Sequence, residues 1–452
     1  MAEGSFFNEA METLTPGDQQ RLEREKLEQQ LAYVFSKSRM YREKLARAGI
    51  PGDAHWDEDR ICDLPFTTKT ELRESQEREP PFGDFLAAPP HAVQRVHRTS
   101  GTTGRFVYTA LTRRDLDVTH DCGARSFWAA GLRPHHRVIH CLNYCLWMGG
   151  YTDHANLETT GATVFPFGVG RSRQLVRVVR EAGIDAISST PSYPAVLEAV
   201  VREELGIEPL DLGLRLGLFG GEPGLDDPAF RRHLQETWSM EARNANYGVS
   251  DVLCNFAAQC EETTDLHFLG QGALLVHLID PETEANLPLA EGSIGEMVLT
   301  HLDKEAQPLV RYRTSDVIEI TGTGPCGCGR TGFRFQVRGR SDHMLHVKGI
   351  NVFPAGIGRV LHALVPDVTG EFQIVVTHPS PYTHLDVTVE HGRDLSPEEQ
   401  SGLARRIEER VKEELGIRVK VTLRPPGSIR GADTDKVVPV LKQYDIEIDG
   451  QG

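Results

Sequence analysis

The chain has 452 residues, of which 39% are hydrophobic and 25% are charged, a composition typical of globular proteins. This length exceeds what one hydrophobic core usually supports, so we expect at least two domains. The formal net charge of −16 argues against a nucleic-acid partner, whose phosphates the chain would repel. A nucleotide ligand remains compatible with this charge, because backbone N–H groups can bind phosphate locally.

The sequence contains no apolar run of about 18 residues, so we expect no membrane-spanning helix and no membrane partner. Residues 1–18 lack the basic start and the apolar stretch of a secretory signal, which predicts a cytoplasmic protein. Eight cysteines in such a chain do not indicate a disulfide framework. Four of them have apolar neighbours and are interpreted as small core side chains. These are Cys62, Cys122, Cys141 and Cys145.

The first part of the chain begins with apolar residues at helical spacing over residues 18–48, which predicts a helix. From about Val107 to about residue 320, strand-like and helix-like segments alternate. The strand-like segments include 136–142, 185–190 and 214–221, and the helix-like segments include 173–183 and 192–205. This alternation predicts an α/β domain with largely parallel sheets.

The last part of the chain has a different pattern. Residues 371–392 predict two strands joined by a Pro-rich turn, and residues 418–427 predict a further strand. Between them, Ser396 and Glu399 have the spacing of a capping box at the start of a helix. A β-β-α-β unit of this kind is enough for a small α+β domain.

We therefore predict two domains, with the domain boundary where the sequence pattern changes. The first spans residues 1–340 and the second residues 341–452. The segment Gly339-Arg340-Ser341-Asp342 lies at this limit and is interpreted as a hinge, which would make the second domain mobile.

Residues Thr99 to Gly104 (TSGTTG) combine two glycines and four hydroxyl side chains. Small residues let the backbone approach a phosphate chain, whose oxygens the N–H groups and hydroxyls can bind. The segment is not a Walker P-loop, because no Lys-Ser/Thr pair follows the last glycine. By itself it is more often an ordinary turn than a phosphate site.

Three other short segments strengthen the nucleotide hypothesis. Residues 220–224 (GGEPG) end an apolar strand, where an open α/β sheet usually binds its ligand. Residues 247–251 (YGVSD) supply an aromatic face, a glycine and a carboxylate. Residues 312–316 (YRTSD) supply an acidic side chain for ribose hydroxyls. Each segment has an ordinary turn as its alternative, but the set in this order favours a binding site.

With these motifs the sequence resembles the adenylate-forming superfamily, and within it the phenylacetate–CoA ligase-like branch. Four segments carry the resemblance, which extends over nearly the whole chain. They are DLPFTTKTELRE (63–74), RTSGTTGRF (98–106), GEMVLTHLDKEAQPLVRYRTSDV (295–317) and GRSDHMLHVKGINVFPAGI (339–357). The resemblance implies a large N-terminal α/β domain and a small mobile α+β C-terminal domain.

The resemblance also implies the nucleotide-binding residues. Ser100, Gly101, Thr102, Thr103 and Gly104 would hold the β- and γ-phosphates of ATP. Gly221, Glu222 and Pro223 would border the adenine, and Tyr247, followed by Gly248 and Ser250, would stack on it. Asp316 would bind the ribose hydroxyls with Arg340 nearby.

Two further roles depend on looser matches. Asp251 stands where the family usually has a glutamate that helps bind Mg²⁺, so the position is kept but the side chain is shorter. The resemblance implies a catalytic lysine near the C-terminus, reaching the α-phosphate. Here the segment reads GSIRGADTDK, which lacks the usual proline and final glycine. Lys436 is our choice; Lys442, or an ordinary surface role for Lys436, is the alternative.

Residues 143–158 (NYCLWMGGYTDHANLE) depart from the family's glycine- and aromatic-rich segment beside the acyl pocket. Four side chains in it suit a hydroxy- or amino-substituted benzoate, and ordinary core packing is the equally good alternative. They are Tyr144, Trp147, Tyr151 and His154.

A second set of residues predicts a zinc site. Cys260, His267, Cys326 and Cys328 form a Cys₃His set suited to tetrahedral zinc, and the Cys-Gly-Cys-Gly turn is compact as a metal knuckle requires. All four ligands would come from protein, so we expect a structural site that joins the loops after YGVSD and YRTSD. Cys254 is interpreted as a core residue.

The resulting functional hypothesis is ATP-dependent adenylation of an aromatic acid, with Mg²⁺, followed by transfer to coenzyme A. One alternative is an AMP ligase that passes a hydroxy- or aminobenzoate to an amine, a hydroxyl or a carrier thiol. Another is a catalytically inactive zinc protein that only binds a nucleotide. The expected partners are small molecules; the oligomeric state is left open, with a homodimer as one option.

Overall fold

The computed structural model describes residues 4–51, 60–99, 106–222, 224–225, 228–348, 350–378, 382–429 and 439–443. The chain divides into two compact units. The first unit comprises residues 1–221 and 236–336, and the second comprises residues 222–235 and 337–452. The limit at residue 340 and the hinge at Asp342 stay predictions.

Helices of the first unit surround a large sheet. They are α1 (Glu9–Glu12), α2 (Pro16–Lys37), α3 (Arg39–Arg47), α4 (Lys69–Arg78), α5 (Arg113–Ala129), α6 (Met148–Thr159), α7 (Ser172–Ala182) and α8 (Tyr193–Leu205). Helix α9 (Pro228–Trp238) includes residues of both units. The helix predicted over 18–48 is two helices, because Ser38 ends α2 and its side chain accepts the Tyr41 N–H that opens α3.

The strands of the first unit form a two-stranded hairpin and one large sheet. The hairpin pairs β1 (Arg95–Arg98) with β2 (Tyr108–Leu111). The sheet contains β3 (Arg137–His140), β4 (Thr163–Pro166), β5 (Ala186–Ser189), β6 (Leu216–Gly220), β7 (Glu241–Val249), β8 (Leu253–Ala258), β9 (Leu266–Phe268), β10 (Leu274–Ile279), β11 (Asn286–Leu287), β12 (Ile294–His301), β13 (Tyr312–Gly322) and β14 (Arg334–Arg340), whose last residues belong to the second unit. Its order is β11-β10-β12-β13-β14-β9-β8-β7-β6-β5-β3-β4.

The sheet has a parallel half and an antiparallel half that meet at β7. Strands β4, β3, β5, β6 and β7 pair in parallel, and helices connect them, as parallel pairing requires. Every residue of β5 and β6 is buried, which is typical of a sheet covered on both faces. From β7 onward the neighbouring strands pair antiparallel. The expectation of largely parallel sheets thus describes the first half only.

The second unit is an α+β structure. It contains the hairpin β15 (Leu345–Val347) and β16 (Ile350–Val352), helix α10 (Pro354–His362), strands β17 (Val368–Val376) and β18 (Leu385–His391), helix α11 (Pro397–Leu415), and strands β19 (Val419–Arg424) and β20 (Val440–Lys442). Its four-stranded sheet has the order β19-β18-β17-β20. The predicted capping box is confirmed, because Ser396 and Glu399 exchange both hydrogen bonds at the start of α11.

The predicted fold class, a large α/β unit followed by a small α+β unit, is confirmed. Within the described ranges, no helix is both long enough and apolar enough to cross a membrane.

Candidate active site

The carboxyl ends of β6 and β7 form a crowded edge of the sheet. A Cβ atom on Gly220 would lie 2.5 Å from the Asn246 carbonyl oxygen, and one on Gly248 would lie 1.8 Å from that of Cys254. Gly221 has a φ of +81°, which favours glycine. Ligands of open α/β sheets bind beyond the carboxyl ends of the strands, so this edge is the candidate site.

Tyr247 and Asp316 lie side by side at this edge. The Tyr247 hydroxyl donates a hydrogen bond to Asp316 Oδ2 over 2.9 Å. The Tyr247 ring packs edge-on against Phe256 and Phe335, with centroid distances of 5.4 and 5.3 Å, which fixes its plane. The fold therefore joins two motifs that are 69 positions apart in the sequence.

Asp251 lies just beyond the end of β7 in a charged cluster. Its Oδ2 atom is 3.0 Å from the Lys69 ammonium and accepts a hydrogen bond from the Tyr312 hydroxyl over 2.9 Å. Its Oδ1 atom is buried and has no hydrogen-bond partner among the residues that the structure describes. A carboxylate oxygen left in this state fits a hard cation such as Mg²⁺.

Lys69 was missed by the sequence reasoning, although it lies in the segment DLPFTTKTELRE. It is the first residue of α4, and the Thr68–Glu71 capping box fixes the start of that helix. The signal for it was the capping pattern, which places the lysine in the first turn. Its spatial partner, 182 positions away, was not visible in the sequence.

The segment predicted for the acyl side surrounds the start of α6. Tyr144 and His154 interact through the phenol oxygen and Nδ1 over 3.1 Å, and His154 Nε2 is 3.2 Å from Glu158. The exposed Tyr151 ring stacks on His154 and faces the Arg95 guanidinium at 4.5 Å. Trp147 is the N-cap residue of α6.

His140 is a second residue that the sequence reasoning did not single out. Its ring meets the Tyr144 ring edge-on at 5.6 Å, and it hydrogen-bonds with the Ser188 hydroxyl over 3.0 Å and with the Gly150 carbonyl over 2.9 Å. Burial lowers the pKa of His140 to about 4, so the imidazole is neutral near pH 7. The aromatic segment therefore packs against a polar but uncharged side chain.

The four predicted zinc ligands come together. The ligand atoms of Cys260, His267, Cys326 and Cys328 all lie within 4.8 Å of one another. The Sγ atoms of Cys260 and Cys326 are 4.0 Å apart, and Cys328 Sγ is 3.7 Å from His267 Nε2. Sulfurs about 2.3 Å from a tetrahedral zinc would be about 3.8 Å apart, so the spacing fits that metal.

The remaining predicted residues lie in the second unit or outside the described ranges. Arg340 ends β14 and makes two hydrogen bonds to Asp342, over 3.0 and 2.8 Å. Glu222 is the first residue of the second unit, and Lys442 is an exposed residue of the edge strand β20. The predicted site residues that fall outside the described residues are Ser100, Gly101, Thr102, Thr103, Gly104, Pro223 and Lys436.

Comparisons with known proteins agree with this architecture. The family model for the AMP-binding enzyme C-terminal domain matches residues 349–441. The chain is 33% identical to the phenylacetate–coenzyme A ligase of Thermus thermophilus, over 96% of this chain and 99% of that one. It is 31% identical to the enzyme of the same name from Escherichia coli, over 93% and 94% of the two chains.

A solved structure covers the chain as fully. The crystal structure of 2-hydroxyisobutyryl-CoA ligase, in the postadenylation state with its acyl-AMP, aligns with a TM-score of 0.86 and 28% identity. The alignment covers 100% of this chain and 95% of that one. An anthranilate CoA ligase, at 17% identity and a TM-score of 0.57, shares the fold. The chain therefore belongs to the phenylacetate–coenzyme A ligase family of adenylate-forming enzymes and is an AMP-forming acid–CoA ligase.

Proposed function

We propose that this ligase activates an aromatic carboxylic acid as its acyl-AMP and transfers the acyl group to coenzyme A. The observation that carries the nucleotide part is the contact between Tyr247 and Asp316, which sets an aromatic face beside a carboxylate at the ligand edge. The aromatic acid is supported by the substrate in the names of the phenylacetate–coenzyme A ligases and by the aromatic side chains around α6.

We assign the nucleotide contacts as follows. Tyr247 stacks on the adenine, Gly221 allows the close approach of the base, and Asp316 binds the ribose hydroxyls. The segment from Ser100 to Gly104 holds the phosphates. From the second unit, Arg340 and Lys436 act on the nucleotide, with Lys442 as the alternative lysine.

Mg²⁺ is the cation that we place at Asp251. The Asp251 Oδ1 atom, which has no hydrogen-bond partner among the described residues, offers one oxygen ligand. Lys69 and Tyr312 hold the other oxygen and fix the carboxylate. Mg²⁺ bound there would neutralise charge on the phosphates during the reaction. Lys69 adds a fixed positive charge at the same position, which would also stabilise the negative charge of the phosphates.

In the first step an oxygen of the acid attacks the α-phosphorus in line, and the bond to the bridging oxygen breaks as pyrophosphate leaves. In the second step the coenzyme A sulfur attacks the acyl carbon, AMP leaves, and the thiol proton is lost. A cation at the α-phosphate, supplied by Lys436, lowers the barrier of the first step. Rotation of the small unit would admit the thiol for the second.

The acyl group is assigned to the side of the site formed by the start of α6. Tyr144 and His154 supply a linked pair of polar groups, and Trp147 and Tyr151 supply aromatic surface. The alternative acceptors (an amine, a hydroxyl or a carrier thiol) would use the same first step. A second substrate class, an aliphatic hydroxy acid, is supported by the full-length likeness to 2-hydroxyisobutyryl-CoA ligase.

We also propose structural zinc at Cys260, His267, Cys326 and Cys328. Hydrogen bonding from Cys260 holds the pKa of Cys328 well below its usual range, although burial acts in the opposite sense. A thiolate is the form that binds metal. Four protein ligands leave no open position, so the metal would stabilise the two loops and take no part in the chemistry. A cytoplasmic location and a homodimer stay predictions.

The test is acid-dependent ATP–pyrophosphate exchange with substituted benzoates and phenylacetates, followed by thioester formation with coenzyme A. We expect exchange with at least one aryl acid and release of AMP when coenzyme A is added. Absence of exchange with every aryl acid would contradict the aromatic assignment. Exchange without thioester formation would favour the alternative acceptors.

The lysine assignment is tested with a matched pair of variants. Lys436→Ala should nearly abolish exchange while ATP binding stays mostly intact, and Lys442→Ala should keep most of the activity. The reverse result would move the role to Lys442. Wild-type exchange in both variants would remove the lysine from the mechanism.

A further inference from the structure

Asn246 occupies a special position at the ligand edge of the sheet. It immediately precedes Tyr247 in β7 and lies opposite Gly220, where a Cβ atom would come within 2.7 Å of the Asn246 Cβ. Asn246 is half-buried, so part of the residue is exposed. A polar side chain is therefore presented between the strand ends that border the candidate site.

The Asn246 amide is held by a buried carboxyl group. Its Nδ2 donates to Oδ2 of Asp153, which projects from α6 and has no solvent exposure. The other oxygen, Oδ1, accepts from Asn156 Nδ2 and from the Cys254 thiol, both over 3.2 Å. Burial raises the pKa of Asp153 to about 7. None of these three donors carries a positive charge, so among the described residues the carboxyl has neutral hydrogen-bond donors only.

This arrangement fixes the direction of the Asn246 amide. Because Nδ2 is committed to Asp153, Oδ1 is available as an acceptor, and within the described part of the chain it accepts no hydrogen bond. Burying a carboxyl group has a substantial free-energy cost, and an apolar side chain at residue 153 would avoid it. A purely apolar acyl group would need neither residue.

We propose that Asn246 Oδ1 accepts a hydrogen bond from an amino or hydroxyl group on the acyl part of the acid, and that Asp153 positions this amide. The inference rests on the proposed function, because it names the substrate class of the same site. It assigns Asn246 as a specificity-determining residue and Asp153 as a positioning residue.

The acyl group is favoured over the adenine as the source of this donor. Asp153 belongs to α6, and the next residue in the chain is His154, which interacts with Tyr144. The helix that orients Asn246 is thus the helix that carries the polar groups of the acyl side. An adenine amino group is the competing donor, and the experiment separates the two.

The experiment compares acids that differ only in the donor. The wild-type enzyme is assayed by pyrophosphate exchange with benzoate, hydroxybenzoates and aminobenzoates, and with isobutyrate against 2-hydroxyisobutyrate. We expect kcat/KM to favour at least one donor-bearing acid over its plain analogue by about 10- to 100-fold. The hydroxyl and amino arms show which donor is used. Equal kcat/KM values within every matched pair would overturn the proposal.

The variants test the residues. Asn246→Leu keeps the number and branching of the side-chain heavy atoms and removes the acceptor, so the preference should fall towards unity. Thr159→Ala, on the exposed end of α6, should leave it unchanged. Asp153→Leu should lose most of the preference, and Asp153→Asn should keep it, because an amide oxygen can still accept from Nδ2. A merely structural role for Asp153 would change total activity without changing the ratio.

The outcomes separate this inference from the proposed function. A preference for 2-hydroxyisobutyrate over isobutyrate that Asn246→Leu abolishes, with no aryl acid activated, would support the inference and contradict the aromatic assignment. Activation of aryl acids with a preference that Asn246→Leu leaves intact would do the reverse. A higher KM for ATP in Asn246→Leu with unchanged acid preference would assign the amide to adenine and overturn the inference.

Discussion

Two buried carboxyl groups lie near the end of β7, and their surroundings differ. Asp251 contacts the Lys69 ammonium and the Tyr312 hydroxyl, and one of its oxygens has no partner within the described residues. Asp153 is surrounded by the neutral donors of Asn156, Asn246 and Cys254. The first environment suits a fixed negative charge and a cation. The second suits a carboxyl that can lose or keep its proton.

The difference divides the site by task. A carboxylate with a cation contact can serve a reaction in which charge develops on phosphate oxygens. A carboxyl group held by neutral donors does little to stabilise the charge that develops on the phosphate oxygens. It can instead orient an amide towards the acyl group. We therefore expect substitutions of Asp251 to affect turnover with every acid, and substitutions of Asp153 to affect the choice of acid.

The strongest test of this division is Asp251→Ala. Loss of the carboxylate should lower pyrophosphate exchange about 100- to 1,000-fold with all acids, because a preorganised electrostatic contact is removed. Asp251→Glu restores the residue usual in the family and should stay within about 10-fold of wild type. A selective loss with one acid only would break the comparison.

Short motifs in the sequence predicted part of the candidate site, while the assignment of a nucleotide side and an acyl side stays a prediction. Tyr247, Asp251 and Asp316 belong to short motifs whose order along the chain is informative, and the fold brings Tyr247 to Asp316. The helix at 18–48 was predicted as one element, since apolar periodicity continues through Ser38 and does not reveal that its hydroxyl caps a second helix.

The contact of Asp153 with Asn246 could not be predicted, because it is long-range and involves ordinary residue types. The two residues are 93 positions apart, and neither was a candidate site residue, although Asp153 lies in the segment 143–158. The contact between Lys69 and Asp251 joins residues 182 positions apart, so it could not be predicted for the same reason. The clustering of the cysteines with the histidine was easier to predict, because few other roles explain Cys-Gly-Cys-Gly together with Cys260 and His267.

The cluster of Cys260, His267, Cys326 and Cys328 offers a test of the zinc proposal. Cys328→Ser should lower the zinc content of protein purified without chelator from about one per chain towards zero. It should also destabilise the first unit, because a four-ligand metal site contributes folding free energy. Cys145→Ser is the matched control, because Cys145 lies outside the cluster and is exposed, so its interpretation as a core side chain was wrong.

The location of the cluster predicts which kinetic constant changes when the metal is lost. Cys326 and Cys328 come directly after β13, which carries Asp316, so metal loss should raise the KM for ATP more than it changes acid preference. Wild-type protein without zinc, or equal effects on ATP and acid, would contradict this assignment.

A pH experiment tests the neutral-donor environment of Asp153. The pKa of this group is raised from 3.8 to about 7 by burial. Between these values the unfolded chain loses the proton and the folded chain keeps it, so the contribution of Asp153 to stability falls as pH rises. Asp153→Asn has no such proton. The stability of the variant relative to wild type should therefore increase by about 2 kcal/mol from pH 5 to pH 7.

The measurement is thermal unfolding of both proteins at several pH values between 5 and 8. Of the three side chains facing Asp153, only Cys254 titrates, and burial raises the pKa of that thiol, so it stays protonated over this range. A constant difference between the two melting temperatures would show that Asp153 is ionised throughout this pH range, which would contradict the raised pKa.

The smallest expected effect is that of Tyr247→Phe. The change removes the hydrogen bond to Asp316 and keeps the ring that packs on Phe256 and Phe335. One such hydrogen bond is worth about 1 kcal/mol, so KM for ATP should rise about five-fold while the preference among acids stays constant. Tyr33→Phe is the matched control, because it removes a hydrogen bond from Tyr33, on α2, to the Glu305 carbonyl. A change in acid preference with Tyr247→Phe would show that the nucleotide and acyl sides are coupled through β7.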